Sequence, residues 1–150
     1  MNVFLDTEFT DLLEPQLISL GLVADSGLSC YVELLGWQRG QCSDFVREVV
    51  IPLLDAPRRV SVHGASAEIL RFFKDLGPFD LMCDSATDLQ LLGELLYDGA
   101  HPTPPNLNGC FVVTLPVQAE MMRERAYEQG LRRHHALDDA LALREGWRYV

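Results

Sequence analysis

The chain has 150 residues, 48% of them hydrophobic, which suits one domain, 1–150, with a core that needs no disulfide or metal staple. A formal net charge of −10 excludes tight nonspecific binding to long nucleic acid, because phosphate contacts dominate such binding. No stretch reaches the roughly 20 apolar residues of a membrane span, no basic region precedes an apolar run at the N-terminus, and Cys30, Cys42, Cys83 and Cys110 make no CxxC pair, so membrane-spanning, disulfide-framework and zinc-knuckle classes are set aside.

The cysteines read as reduced, mostly buried thiols, and the expected location is cytoplasmic. NVFLD (2–6) reads as a central strand, QLISLGLVA (16–24) as a second and LSCYVELL (28–35) as a third, with Asp25, Ser26 and Gly27 turning between the last two. Together they predict an antiparallel meander. SDFVREVVIPLLD (43–55) has helical spacing behind a good N-cap, and Pro52 predicts a kink or an early end. SAEILRFFKDLG (66–77) reads as a capped helix stopped by Gly77 and Pro78.

FDLMCD (79–84) running directly into SATDLQLLGELLYDG (85–99) is the strand-to-helix step of an α/β fold. HPTPPNLNG (101–109) reads as a loop, FVVTL (111–115) as a short strand, PVQAEMMRERAYEQG (116–130) as a helix ended by Gly130, and the last helix runs from Ala136 to Trp147. The sum is a mixed sheet, meander plus parallel strands, flanked by helices. Charge is uneven along it: residues 123–150 hold six of the 12 basic side chains and only five of the 22 acidic ones, so any phosphate-binding patch belongs there.

Asp6 and Glu8 lie two apart on the first strand, so both side chains leave the same face. Like charges this close raise a pKa or demand a cation, and a divalent metal with oxygen ligands is the usual resolution; otherwise the pair is a solvated strand end. Asp88 projects, at about 100° per residue, within the stripe of Leu91, Leu92 and Leu95, where an ionised carboxylate needs compensation unless it merely complements the helix N-terminus. Asp84 or Ser85 already serves as the cap. On the last helix Ala136, Ala140, Leu143 and Trp147 form the core stripe, with Asp139 bordering it at about 70° and Asp138 pointing away into solvent. His134 and His135 precede that helix, and spacing alone does not choose between them.

These residues occur in the order of three motifs: Asp6-Thr7-Glu8, then Asp88 in DSATDLQLL, then His134-His135-Ala136-Leu137-Asp138-Asp139-Ala140. In this the sequence resembles the DEDDh 3′-to-5′ exonucleases of the ribonuclease H-like superfamily, and FLDTEFTDLLEPQLISLGLVAD looks most like the RNase AS-type 3′-5′ exoribonucleases. The resemblance implies a ribonuclease H-like fold and selects His134 over His135 and Asp139 over Asp138. It implies that Asp6, Glu8, Asp88 and Asp139 hold two divalent ions, Mg²⁺ or Mn²⁺, with His134 as general base, and that the chain hydrolyses short single-stranded RNA with a free 3′ end as a homodimer. Phe9 and Leu12 would then wedge against terminal bases, and Arg132, Arg133, Arg123 and Arg125 are candidates for neighbouring phosphates, although such arginines also pair with Glu124 and Glu128. One departure stands out: many relatives carry Asn where this chain has Asp84, and an acid there either repels phosphate or caps the helix.

Other readings compete. A receiver-type phosphorylation domain needs a lysine after a late strand, and Lys74, the one lysine, lies within a predicted helix. A 3′-5′ exodeoxyribonuclease and a catalytically silent nucleic-acid-binding module of the same fold are the alternatives that remain.

Overall fold

A computed structural model describes residues 1–99 and 102–150. Its centre is a five-stranded sheet in the order β3-β2-β1-β4-β5, built from β1 (Asn2–Phe9), β2 (Leu17–Ala24), β3 (Ser29–Glu33), β4 (Phe79–Cys83) and β5 (Leu107–Val112). β1, β2 and β3 pair antiparallel, while β4 joins β1, and β5 joins β4, in parallel. The protein is therefore α/β with a mixed sheet. Among the described residues four α-helices flank it: α1 (Val62–Lys74), α2 (Ala86–Asp98), α3 (Val117–Glu128) and α4 (Ala136–Trp147).

Apolar residues on both sides of β1 and β2 follow from helices on both faces. Val3, Leu5, Leu20 and Leu22 pack with Ile69 and Phe73 of α1 and Leu92 and Leu95 of α2. Phe4, Val23 and Met82 point the other way, onto Ala140 and Leu143 of α4. Asp6 and Glu8 continue the Phe4 side of the pleat and so face α4, whereas Thr7 continues the Leu5 side and faces α2. Among the described residues no helix is long and apolar enough to cross a membrane.

Several boundaries differ from expectation, each for a local reason. β1 runs on to Phe9, because its antiparallel ladder with β2 continues past Asp6 to a bulge between Glu8 and Phe9. α1 starts at Val62, since Ser61 rather than Ser66 is its cap, accepting from the Gly64 amide at 3.1 Å. Ser66 is instead buried and donates to the carbonyls of Val62 and Leu95, tying α1 to α2. The stretch read as a helix over 43–55 is irregular, a π turn at Val46–Val50 tightening to a 3-10 turn at Ile51–Leu53, where Pro52 allows no further regular helix.

β5 begins at Leu107, inside the segment read as loop, and stops at Val112 rather than 115. Its pairing with β4 sets the register, and exposed outer positions gave it no alternating pattern to recognise. Of the rest of the 101–109 loop, His101 lies outside the described residues. The cysteines are free, but only Cys42 and Cys83 are buried; Cys30 is half-buried and Cys110 is exposed on the β5 edge.

Candidate active site

The parallel ladder between β1 and β4 ends at Phe4, so the far half of β1 has no strand on that side. α2 fills the gap. Ser85 caps it, accepting from the Thr87 amide, and one turn later Asp88 Oδ1 accepts from the Thr7 amide at 3.1 Å and the Thr7 hydroxyl at 2.6 Å. Asp88 is thereby 2% exposed, as its place in the leucine stripe demands. Its other oxygen, and Oδ2 of Asp6, are buried with no hydrogen-bond partner.

On the opposite face α4 approaches β2 closely. Gly21, paired with Asp6, has no Cβ, and one built there would lie 2.5 Å from the backbone of Ala136 and Leu137. This close contact carries Asp139 toward the β1 carboxylates. Tyr127 of α3 donates to Asp139 Oδ1 at 2.6 Å, and the His134 amide donates to Oδ2 at 2.9 Å. Two groups of possible ligand atoms result, each within 4.8 Å of one another: Glu8, His134 and Asp139, and Asp6, Asp84 and Asp88. All five motif residues picked from the sequence fall in these two groups, with Asp84 added.

Electrostatics follow from the burial of so many acids. Desolvation pushes Glu8 up to about 8, with Asp139 and Asp88 adding repulsion. Asp88 rises to about 7, mainly through burial and despite the hydrogen bonds from Thr7. Asp6 is raised well above the carboxylate range by burial first and then by Asp88, Asp139, Glu8 and Asp84, and burial also raises Asp139. Such a cluster stays protonated near neutrality or holds cations. The two orphaned oxygens and a donor set of carboxylate oxygens with one imidazole nitrogen fit hard divalent ions.

The segment before α4 is clasped from behind. His134 has φ 65°, a left-handed backbone unusual for a residue with a side chain, and its ring meets Phe45 edge-on at 4.9 Å. His135 turns the other way and is buried on Tyr31, with ring centroids 4.7 Å apart and Nε2 2.9 Å from Asp55 Oδ1. Arg132 bridges Asp55 and Asp138, each at 2.7 Å. Asp138 is consequently buried and not solvated: the 131–135 segment folds back over it, and Asp138 accepts from the Arg132 amide as well. A helical wheel sees only the helix, and this partner comes from outside it.

The remaining candidates lie around this centre. Phe9 is half-buried, while Leu12 and Leu13 are exposed on a loop held by Asp11, which accepts from the amides of Leu13 and Glu14. Arg133 pairs with Glu124 and lies over the Tyr127 ring at 4.1 Å. Arg123 pairs with Asp84 at 2.7 Å. Sequence reasoning missed Gly21, Phe45, Asp55 and Tyr127; only Tyr127 left a trace, four residues after Arg123 and so on the same side of α3.

No protein-family model matches the chain, and no curated protein matches it. The site is therefore read from its own chemistry.

Proposed function

We propose that the chain is a metal-dependent 3′-5′ exoribonuclease of the DEDDh type on a ribonuclease H-like fold, removing nucleotides from the 3′ end of short single-stranded RNA. The observation that carries this reading is convergence: Asp6 and Glu8 from β1, Asp88 from α2, and His134 and Asp139 from the start of α4 meet in two groups at ligand spacing. Two Mg²⁺ or Mn²⁺ ions held by Asp6, Glu8, Asp88 and Asp139 would supply the positive charge that phosphodiester hydrolysis needs and would acidify water.

The protein's own groups do the rest. Thr7 fixes Asp88 through two hydrogen bonds, and Tyr127 and the His134 amide fix Asp139, so the carboxylates meet a ligand without rearranging. The His134 imidazole, half-exposed and steadied by Phe45, takes the proton of the attacking water. Phe9, at the end of β1, and Leu12, on the loop after it, pack against the terminal bases. Arg132 is engaged by two acids, Asp55 and Asp138, and Arg133 by one, Glu124, so the half-exposed Arg133 is the better placed of the two for a neighbouring phosphate. The net charge of −10 favours short substrates over long duplex.

The test is cleavage of 5′-labelled short RNA and DNA with Mg²⁺ or Mn²⁺ by wild type, Asp6→Ala and His134→Ala. A ladder shortening from the 3′ end, RNA preferred and lost in both variants, is expected. A preference for DNA would replace the substrate, and no cleavage with either metal would leave a binding module. Light scattering on the same protein tests the homodimer that the resemblance implies; a monomer removes it.

A further inference from the structure

We propose that Asp84 is a ligand, with Asp6 and Asp88, for one divalent cation, and that Arg123 is the counter-cation that holds Asp84 when the cation is absent. This rests on the metal-dependent reading above and extends it to two residues beyond the five to which the resemblance gives a role. Asp84 directly follows β4, Asp88 lies one turn into α2, and Asp6 lies on neighbouring β1. Their nearest carboxylate oxygens lie within 4.8 Å of one another, which is the spread that oxygens bound to one ion at about 2.0–2.6 Å can have.

Asp84 is exposed and Asp6 half-buried, but the burial of Asp88 and of one oxygen of Asp6 separates this group from an ordinary acidic surface. Asp88 is 2% exposed; Thr7 uses its Oδ1, while Oδ2 is buried without a partner, as is Oδ2 of Asp6. Two buried, unpartnered carboxylate oxygens beside a third carboxylate have no resolution within the protein short of protonation. Arg123 does not supply it. Its guanidinium reaches Asp84 Oδ2 at 2.7 Å, and its own Nε is buried without a partner. A simple ion pair between Arg123 and Asp84 would need neither Asp6 nor Asp88. Asp84 thus stands between two positive charges, the fixed guanidinium and the cation, and Arg123 competes for it. Where relatives in the resemblance carry Asn, this chain adds a full negative charge to the site and a cation to balance it.

The two substitutions are expected to act with opposite signs. Free Mn²⁺ is titrated by electron paramagnetic resonance against the full chain without RNA, for wild type, Asp84→Asn and Arg123→Met. Since loss of an outer-shell partner already costs about 10–100-fold in metal affinity, Asp84→Asn should weaken Mn²⁺ by at least about tenfold, and Arg123→Met should tighten it. Equal affinity, within about twofold, in wild type and Asp84→Asn overturns the ligand assignment. Unchanged or weaker binding in Arg123→Met overturns the counter-cation role.

Circular dichroism checks each variant. Should Asp84→Asn fail to fold, Asp84→Ala in the Arg123→Met background, which removes both members of the pair, is compared with Arg123→Met alone under the same criterion. RNA cleavage by the same samples keeps the two readings apart. A wild type that cleaves RNA while Asp84→Asn binds Mn²⁺ normally overturns this inference and leaves the exonuclease; Mn²⁺ binding with the expected signs but no cleavage does the reverse.

Discussion

His134 and Asp139 depend on each other at the level of single atoms. The His134 amide uses one oxygen of Asp139 and Tyr127 uses the other, so the proposed base and a proposed ligand are set by one carboxylate. His134→Ala is expected to lower turnover by about 10²–10⁴-fold, the usual worth of a positioned general base, with Mn²⁺ affinity changed far less. Turnover that falls only in proportion to metal affinity would make His134 a ligand instead. Tyr127→Phe removes the donor at 2.6 Å and leaves the ring, and is expected to weaken Mn²⁺ by about tenfold with the fold intact; isothermal titration reads it. At this scale the sequence was informative where chemistry departs from pattern: Asp88 among leucines announced a buried carboxylate. It placed Asp138 in solvent, whereas Asp138 is buried, because that burial depends on Arg132 folding back from another segment. Asp55 gave no signal either, since its partners His135 and Arg132 are 80 and 77 residues away.

Two element contacts place the site. α4 sits on β2 only because Gly21 has no side chain, and Gly21→Ala would push a methyl into the Ala136 and Leu137 backbone. Overpacking of this kind costs about 1–3 kcal/mol, and the shift of α4 would carry Asp139 and His134 with it. A lowered Tm together with a larger fractional loss of activity than of stability is the expected pair of results; an unchanged Tm would mean that α4 has room to move. Behind the site, Asp55 joins the end of the irregular 44–53 segment to His135 and Arg132. That clasp helps hold His134 at φ 65°, a conformation costing about 1–3 kcal/mol unless its surroundings enforce it. Asp55→Ala is expected to speed hydrogen exchange of the 131–135 amides and to lower kcat with little change in KM, whereas Asp55→Asn, which keeps an acceptor, should recover part of both. The sheet was largely legible, because β1, β2 and β4 carry apolar runs, and of the two caps read for α2, Asp84 or Ser85, it is Ser85 that serves. β5 and the 44–53 segment were not: one takes its register from β4, and the other is shaped by tertiary packing of Val46 and Val50 with Ile18 rather than by helical spacing.

For the whole molecule, the clustered acids link stability, pH and cation binding. Glu8 at about 8, Asp88 at about 7 and the raised Asp6 and Asp139 all have folded-state pKa values above those of an unfolded chain, roughly 4. The protonated cluster is the stable one without metal, so its contribution is complete below the unfolded values and is lost as pH rises through about 7 to 8, because the unfolded chain has by then released protons that the folded chain keeps. A divalent ion held as proposed reverses the slope. It would bind the deprotonated carboxylates, needs the folded arrangement to bring them together, and so would stabilise more as pH rises over the same interval. The difference in Tm between protein with Mn²⁺ and protein with chelator is therefore expected to grow from pH 5.5 to pH 8.5, and taking the difference at each pH cancels the titration of groups remote from the site. The gain should shrink in Asp6→Asn, which removes an acid common to the repulsion and to the ligand set. A metal increment that is flat with pH, or equal in that variant, would mean that the ion binds elsewhere, and the buried acids would then be held by their protons alone.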